Sequence, residues 1–235
     1  ATIYKSSEHT PMQGVFENLL KEAGFKPDWI QIAYGDGRLG SDLISQKPDK
    51  IFFTGSVATG KKIMKQASEF LIPVELELGG KDPMIVFEDV NQERAAAGAL
   101  WGALTNCGQS CTSIERIFVQ EKIYPEFREK LVSGLERIKQ KTDSDGDADI
   151  GIMTTDFQTE IVRKQLEEAR VRGARILSCG NLNAGGRNLA PVLVENLPLD
   201  CALSREETFG PVVALFPFKD ESDAVRMAND SEYGL

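Results

Sequence analysis

Histidine is almost absent from the sequence, and this scarcity narrows the chemistry that the chain can carry. His9 is the one histidine among 235 residues. A Ser-His-Asp or Cys-His arrangement would have to use it, and a histidine-rich zinc site is excluded, so we predict no metal site. His9 lies between Glu8 and Thr10 near a predicted helix start, where an exposed structural residue is the simpler interpretation. Base chemistry must therefore come from another kind of side chain.

The sequence also lacks long apolar runs, an excess of basic residues and a cysteine framework. No run approaches the roughly 20 apolar residues that cross a bilayer, and no charged-then-apolar signal stands at the N-terminus. The net charge of −9, with acidic residues spread along the chain, argues against a nucleic-acid partner. Its four cysteines are too few for a disulfide scaffold. We therefore predict a cytoplasmic protein with reduced thiols and a small-molecule partner, bound to neither nucleic acid nor membrane.

The first third of the sequence contains an alternation of predicted strands and helices. Apolar residues at helical spacing between Val15 and Ala23 predict a helix that ends at Gly24. Strands are predicted at 29–34, 50–53 and 73–78, and helices at 39–45 and 58–70. A β-α-β alternation implies a parallel sheet with crossover helices. We interpret residues 1–78 as the rear half of a Rossmann-like domain.

The pattern restarts after the double glycine at 79–80, where we place a domain boundary. Strands are predicted at 84–87, 117–120, 174–178 and 212–218, and helices at 92–104, 124–138, 156–172 and 222–229. Residues 79–235 therefore form a second α/β domain. Both ends of the chain fall within the predicted pattern, so we expect both domains to be truncated.

Two glycine-rich turns resemble phosphate-binding loops. The segment 35–40 matches the dinucleotide fingerprint, but no acid follows the next strand at 54–56, so we favour a tight glycine turn. The segment 55–61 fits a P-loop, but Lys62 stands where magnesium requires a hydroxyl, which disfavours ATP hydrolysis. A helix that begins at Ser56 still offers amide donors to an anion such as a cofactor pyrophosphate. An ordinary capped helix is about equally compatible with this segment.

One carboxylate and one thiol stand beside glycines. Glu77 ends a strand that we predict to be buried, directly before Gly79 and Gly80, and a buried acid is costly unless it is used or paired. Cys111 follows a glycine turn at Gly108, in the small-residue setting expected where a backbone approaches a substrate closely. Taken alone, each residue is also compatible with a structural role.

Four segments, taken in order and approximate spacing, resemble the signatures of the aldehyde dehydrogenase superfamily, NAD(P)-dependent and non-acylating. They are Thr-Gly-Ser at 54–56, Glu-Leu-Gly-Gly-Lys at 77–81, Gly-Gln-Ser-Cys at 108–111 and Glu-Glu-Thr-Phe-Gly-Pro at 206–211. The resemblance covers essentially all 235 residues. It implies an internal part of a longer chain, in which 1–78 belongs to the NAD-binding domain and 79–235 to the catalytic domain.

The resemblance implies a role for each matching residue. Cys111 corresponds to the family's nucleophile and Glu77 to its general base, whereas Cys107 has no catalytic counterpart. The implied cofactor-binding residues are Lys5 and Glu8 for the adenosine ribose, Gly55 and Ser56 for the pyrophosphate, and Glu207 and Phe209 for the nicotinamide ribose and ring.

The implied reaction oxidises an aldehyde to a carboxylic acid. A thiolate adds to the carbonyl, hydride passes to NAD, and a carboxylate whose pKa is raised by burial activates water against the thioester. Glu77 favours hydrolysis over transfer to coenzyme A; an acylating relative and a non-catalytic relative that keeps the fold are the alternatives. Because a carboxylate at Glu8 would repel a 2'-phosphate, NAD is preferred to NADP, although Lys5 softens that repulsion.

Other expectations follow from what the chain lacks relative to the family. The asparagine of the family's oxyanion hole lies upstream of Lys5 in full chains, and losing such a donor typically costs on the order of a hundredfold or more in rate. We therefore expect the 235-residue chain to be weakly active or inactive, and its parent to be a homo-oligomer. The stretch 149–155 is similar to members that handle apolar or carotenoid-derived aldehydes.

Overall fold

A computed structural model describes residues 1–7, 9, 14–141, 146–182 and 185–235. Glu8, for which the resemblance implies a role at the adenosine ribose, lies outside the described residues. The chain divides into two compact units, Ala1–Leu78 and Gly79–Leu235. No helix among the described residues is long and apolar enough to cross a membrane.

The first unit alternates strands with helices and contains two small parallel sheets. Its elements are β1 (Thr2–Ser6), α1 (Val15–Glu22), β2 (Ile30–Tyr34), α2 (Gly37–Ser45), β3 (Ile51–Thr54), α3 (Val57–Ser68) and β4 (Val74–Glu77). Strand β1 pairs with β2 and β3 with β4, both in parallel. The predicted single sheet is thus divided, in the described residues, into two separate pairs of strands.

Polar side chains explain where two of these helices begin. Asp36 caps α2, because its Oδ1 accepts the N–H of Arg38 at 2.9 Å. Ser56 caps α3, and its Oγ accepts the N–H of Thr59 at 3.3 Å. Each cap satisfies one of the free amide groups of the first helical turn. The segment 35–40 is therefore a turn into a capped helix.

The strands of the first unit are only partly buried, so the prediction of a buried strand before the double glycine is wrong. Ile44 and Ala67 are the only buried apolar side chains among the described residues of this unit. Strands β3 and β4 alternate half-buried with exposed side chains, the pattern of a sheet that is covered on one face. Glu77 occupies an exposed position of β4.

The second unit is built on a five-stranded sheet. Its elements are β5 (Asp82–Val86), α4 (Gln92–Leu104), β6 (Ile114–Gln120), α5 (Tyr124–Leu135), α6 (Asp156–Val171), β7 (Arg175–Ser178), β8 (Val192–Glu195), α7 (Ala202–Arg205), β9 (Val212–Phe218) and α8 (Glu221–Asn229). The strand order is β5-β6-β9-β8-β7. All neighbouring strands are parallel except the antiparallel pair β7 and β8.

Apolar side chains from strands and helices form one continuous core in the second unit. Phe118 of β6 and Leu215 of β9 are almost fully buried, and Phe127 of α5 packs into the same cluster. Helices α4 and α5 approach each other so closely that a side chain at Gly134 would overlap that of Leu100. Central parallel strands that are buried on both faces are typical of α/β proteins. The predicted α/β class with parallel sheets is confirmed.

Candidate active site

Cys111 follows a tight turn of left-handed residues. Asn106, Cys107 and Gly108 have φ angles of 53°, 61° and 69°, a conformation that side chains disfavour. A Cβ atom at Gly108 would overlap the carbonyl oxygen of Gly210. Glycine is therefore required at 108, where the backbone before Cys111 touches the backbone of the segment 206–211.

Gln109 fixes this turn through its side-chain amide. It is 8% exposed, and its Oε1 accepts the N–H of Thr154 at 3.0 Å. Its Nε2 donates to the carbonyl of Asn106 at 3.2 Å, and the side chain of Asn106 donates back to the carbonyl of Gln109 at 2.9 Å. These bonds hold the turn that leads into Cys111, so the glutamine of the Gly-Gln-Ser-Cys segment supports the backbone.

The two neighbouring cysteines differ in exposure. Cys107 is 2% exposed, and its Sγ lies 3.5 Å from the carbonyl of Gly151. Burial raises the pKa of the Cys107 thiol to about 11. Cys111, in contrast, is exposed. Since a nucleophile must be both accessible and ionisable, the geometry favours Cys111 over Cys107.

The double glycine lies between Cys111 and Glu207. A Cβ atom at Gly80 would come within 3.1 Å of the carbonyl oxygen of Cys111, and a Cβ atom at Gly79 would overlap the carboxylate of Glu207. Only glycine fits where another group occupies the place of a side chain. The second unit therefore brings the double glycine of the segment 77–81 together with the segments 108–111 and 206–211.

In the segment 206–211, Glu207 has a shifted pKa and Phe209 has an unusual backbone conformation. Partial burial, and next the nearby carboxylate of Glu115, raise the pKa of Glu207, whereas a hydrogen bond from the backbone of Gly80 acts in the opposite direction. Phe209 has a left-handed backbone with φ of 49°. Only a specific surrounding holds a residue that is not glycine in that conformation.

Glu77 ends strand β4 of the first unit and neighbours the turn that carries Gly55 and Ser56. Thr54 pairs with Glu77 across the two strands, and the N–H of Gly55 donates to the carbonyl of Glu77 at 3.0 Å. The Glu77 side chain is exposed, so the expectation of a buried carboxylate at this position is wrong. Its place at the carboxyl end of a parallel strand is where α/β proteins carry functional groups.

The remaining predicted cofactor residues of the first unit stand on β1 and α3. Lys5 belongs to β1, where it pairs with Ala33 of β2. The exposed Ser56 caps the start of α3, and such a helix start offers amide groups and a positive dipole end to an anion. The hydroxyl of Ser56 is engaged as the cap, so the backbone amides of this turn are the groups that fit a pyrophosphate.

Comparison with known proteins identifies the family of this arrangement. The sequence profile of the aldehyde dehydrogenase family matches residues 1–235. The chain belongs to the aldehyde dehydrogenase family. Its relatives include the 4,4'-diapolycopene aldehyde oxidase of a Methylomonas species, which is 40% identical over 100% of this chain and 44% of the relative.

A solved structure of betaine aldehyde dehydrogenase from Staphylococcus aureus, in complex with NAD+, has a TM-score of 0.93 at 32% identity. The match covers 99% of this aldehyde dehydrogenase chain and 48% of that protein. The NADP(+) succinate-semialdehyde dehydrogenase of Escherichia coli (strain K12) is 33% identical over 99% of this chain and 49% of the relative. The chain thus spans about half the length of the curated relatives it matches.

The sequence analysis missed one charged pair of this aldehyde dehydrogenase chain. Lys81 and Glu115 form a buried ion pair, with 2.6 Å between Nζ and Oε2. The prediction started the strand at 117 and left Glu115 and Arg116 outside it, whereas β6 begins at Ile114. Two adjacent charges at the start of an apolar run were the available signal, because a charge is buried only when it is paired.

Proposed function

We propose that the complete protein oxidises an aldehyde to a carboxylic acid with NAD, using Cys111 as the nucleophile and Glu77 as the general base. The observation that carries this proposal is the close packing at the double glycine, where Gly80 lies against the carbonyl of Cys111, whose thiol is exposed, and Gly79 lies against the carboxylate of Glu207. The burial of Cys107 supports the choice between the two cysteines.

The chemistry follows from the residue types. The Cys111 thiolate adds to the aldehyde carbon, and the resulting tetrahedral alkoxide re-forms its C=O bond as hydride leaves that carbon. NAD, when bound, supplies the acceptor for this hydride. The acyl group is then a thioester on Cys111. Glu77 accepts a proton from the water that attacks the thioester, which releases the acid and restores the thiolate.

Glu77 also separates this proposal from the acyl-transferring alternative. A carboxylate that can activate water favours hydrolysis, whereas an acylating enzyme hands the thioester to coenzyme A. The acid should therefore form at the same rate with and without coenzyme A. Formation of an acyl-coenzyme A product would favour the acylating alternative.

The cofactor proposal assigns Lys5 and Glu8 to the adenosine ribose, and Gly55 and Ser56 to the pyrophosphate. Glu207 and Phe209 take the nicotinamide end. The exposed start of α3 at Ser56 supports the assignment of Gly55 and Ser56 to the pyrophosphate. A carboxylate at Glu8 favours NAD over NADP, although one relative is named for NADP(+). The ratio of kcat/KM for the two cofactors tests this preference.

For the substrate we propose a long apolar aldehyde. The support is the name of the Methylomonas relative, a 4,4'-diapolycopene aldehyde oxidase that is 40% identical. The proposed substrate class agrees with the similarity of the stretch 149–155 to family members that handle apolar or carotenoid-derived aldehydes. A panel of aldehydes, from short polar to long apolar, tests this substrate assignment by kcat/KM on the complete protein. We also propose that the complete protein is a homo-oligomer.

The mechanism is tested with substitutions in the complete protein. We expect Cys111→Ala to abolish NADH formation. We expect Glu77→Gln to leave a burst of about one NADH per site but to lower the steady rate on the order of a hundredfold, because only hydrolysis loses its base. Cys179→Ser is the matched control, since it removes another exposed thiol. Full activity of Cys111→Ala would contradict the proposal and favour a non-catalytic role for this thiol.

A further inference from the structure

The buried ion pair of Lys81 and Glu115 has no part in the proposed chemistry. Lys81 has no exposed surface, and its Nζ donates to Oε2 of Glu115 at 2.6 Å and to Oγ1 of Thr208 at 2.9 Å. Glu115 is 6% exposed. Removing two charges from water costs so much that such a pair often adds no stability. Its presence here therefore indicates a purpose other than stability.

The carboxylate of Glu115 also faces the backbone of the segment 207–209. Its Oε1 accepts the N–H of Phe209 at 2.9 Å. The N–H of Thr208 lies 2.8 Å from Oε2 and 3.0 Å from Oε1. Hydrogen bonds from backbone amides to a carboxylate are stronger than those between neutral groups. One buried carboxylate thus binds two consecutive peptide groups.

Side chains also hold the rest of this segment. Within the described residues, no main-chain hydrogen bond joins residues 207–209 to another element. The remaining bonded peptide groups have uncharged partners, which are Gln158, Gln165 and Tyr233. Glu115 is therefore the only charged group among the side chains that bind the peptide groups of the described segment.

The backbone of Phe209 gives this contact a specific consequence. Its φ of 49° is a left-handed value, which a residue with a side chain keeps only where its surroundings impose it. The bond from the Phe209 N–H to Glu115 is such a constraint. This bond sets the orientation of the Phe209 peptide group and, with it, the direction in which the aromatic side chain points.

We infer that Glu115, with Lys81 as its buried counter-ion, is a positioning residue that fixes Glu207 and Phe209 for the nicotinamide end of the cofactor. The inference rests on the proposed function, in which Glu207 and Phe209 contact that part of NAD. Lys81 is the ion-pair partner of this buried carboxylate, with 2.6 Å between its Nζ and Oε2 of Glu115. Glu115 acts through the backbone of Thr208 and Phe209.

Three variants of the complete protein test this inference. Glu115→Gln keeps the size of the side chain but turns one acceptor oxygen into an amide donor that faces donors. The double variant Lys81→Met/Glu115→Leu removes both charges together, so no buried charge is left unpaired. Glu195→Gln is the matched control, because it breaks another largely buried ion pair, in which Glu195 lies 2.7 Å from Arg128.

We measure two properties of each variant. In the cofactor-free protein, we expect hydrogen exchange at the amides of Thr208 and Phe209 to quicken on the order of tenfold in both Glu115 variants, since each loses a charge-assisted bond. The dissociation constant of NADH, followed by its fluorescence, should rise on the order of tenfold in the same variants. Glu195→Gln should change neither property.

Several outcomes would overturn the inference. If the amides of Thr208 and Phe209 exchange at the parent rate in the double variant, Glu115 does not hold the segment. If exchange quickens but NADH affinity is unchanged, the segment is held for a reason other than the cofactor. If the unsubstituted protein neither binds NADH nor oxidises an aldehyde, the proposed function itself fails, which is seen before any variant is made.

Discussion

At the scale of single residues, burial decides which of two nearby thiols reacts. Burial raises the pKa of the Cys107 thiol to about 11, so at about pH 8 roughly one molecule in a thousand carries the reactive thiolate. We expect iodoacetamide to modify the exposed Cys111 at least about a hundredfold faster than Cys107, as measured by mass spectrometry of peptides. Cys179 is the reference for an exposed thiol. Equal rates at Cys107 and Cys111 would contradict this ordering.

The raised pKa of Glu207 predicts that its carboxylate, which we propose for cofactor binding, destabilises the cofactor-free fold. Its pKa is raised above the ordinary 4.5, first by burial and next by Glu115. A carboxyl with a raised pKa in the folded state stabilises the fold below its unfolded pKa, and this contribution is lost as the pH rises through the folded pKa. At neutral pH the carboxylate therefore destabilises the cofactor-free protein relative to an uncharged side chain.

The test of this conflict is Glu207→Gln. We expect its Tm at about pH 7 to exceed that of the parent on the order of 2 °C. Below about pH 4 the difference should vanish, because Glu207 is then protonated in the folded and the unfolded state. Thermal unfolding followed by circular dichroism at both pH values measures the effect. A variant that is less stable at about pH 7 would show that the charged carboxylate gains more from Gly80 than it loses by burial.

At the scale of elements, contacts between backbones place the motif segments. Gly108 has φ of 69°, and a Cβ atom there would overlap the carbonyl oxygen of Gly210. We expect Gly108→Ala to lower the free energy of unfolding by about 3 kcal/mol, because left-handed strain adds to a clash with rigid backbone. Urea denaturation measures this loss.

The matched control for Gly108→Ala is Gly98→Ala in the exposed surface of α4. A Cβ atom at Gly98 meets nothing within 4 Å. Alanine favours a helix over glycine by about 1 kcal/mol, so the control should be as stable as the parent or slightly more stable. Equal losses for the two variants would mean that the contact between Gly108 and Gly210 is not specific.

Local patterns in the sequence predict some elements fully and others not at all. Helix α4 and strand β9 have the predicted bounds, because each is one uninterrupted pattern of apolar residues. Strand β8 was not predicted, since its three apolar residues before the charged Glu195 are too short a run to assign from the sequence. Its antiparallel pairing with β7 depends on contacts between distant segments, which periodicity does not encode.

The candidate site shows the same limit. The motif residues at 79–80, 108–111 and 206–211 include those that approach one another within the second unit. They do not reveal that Glu115 binds the segment 207–209, because that carboxylate lies 93 residues from Thr208 in sequence. The exposure of the Glu77 side chain was also not predicted, although the alternation of apolar and charged residues at 74–77 was the available signal for it.

At the scale of the whole molecule, the two units differ in how much apolar surface they bury. The core of the second unit includes residues from β5, β6, β8 and β9 and from all of its longer helices. In the described part of the first unit, Ile44 and Ala67 alone are buried apolar residues, and each strand there has one partner. Since buried apolar area is the main source of stability, the units should differ in resistance to opening.

Hydrogen exchange of the 235-residue chain measures this difference strand by strand. Two parallel pairs provide a matched comparison, β3 with β4 in the first unit and β6 with β9 in the second. Local opening exposes amides in regions with few buried contacts, whereas central core strands exchange only through larger unfolding. We expect amides of the β3 and β4 pair to exchange at least about a hundredfold faster than those of the β6 and β9 pair. Similar protection in both pairs would mean that the chain unfolds as one cooperative unit, and that burial within each unit does not set the stability of its strands.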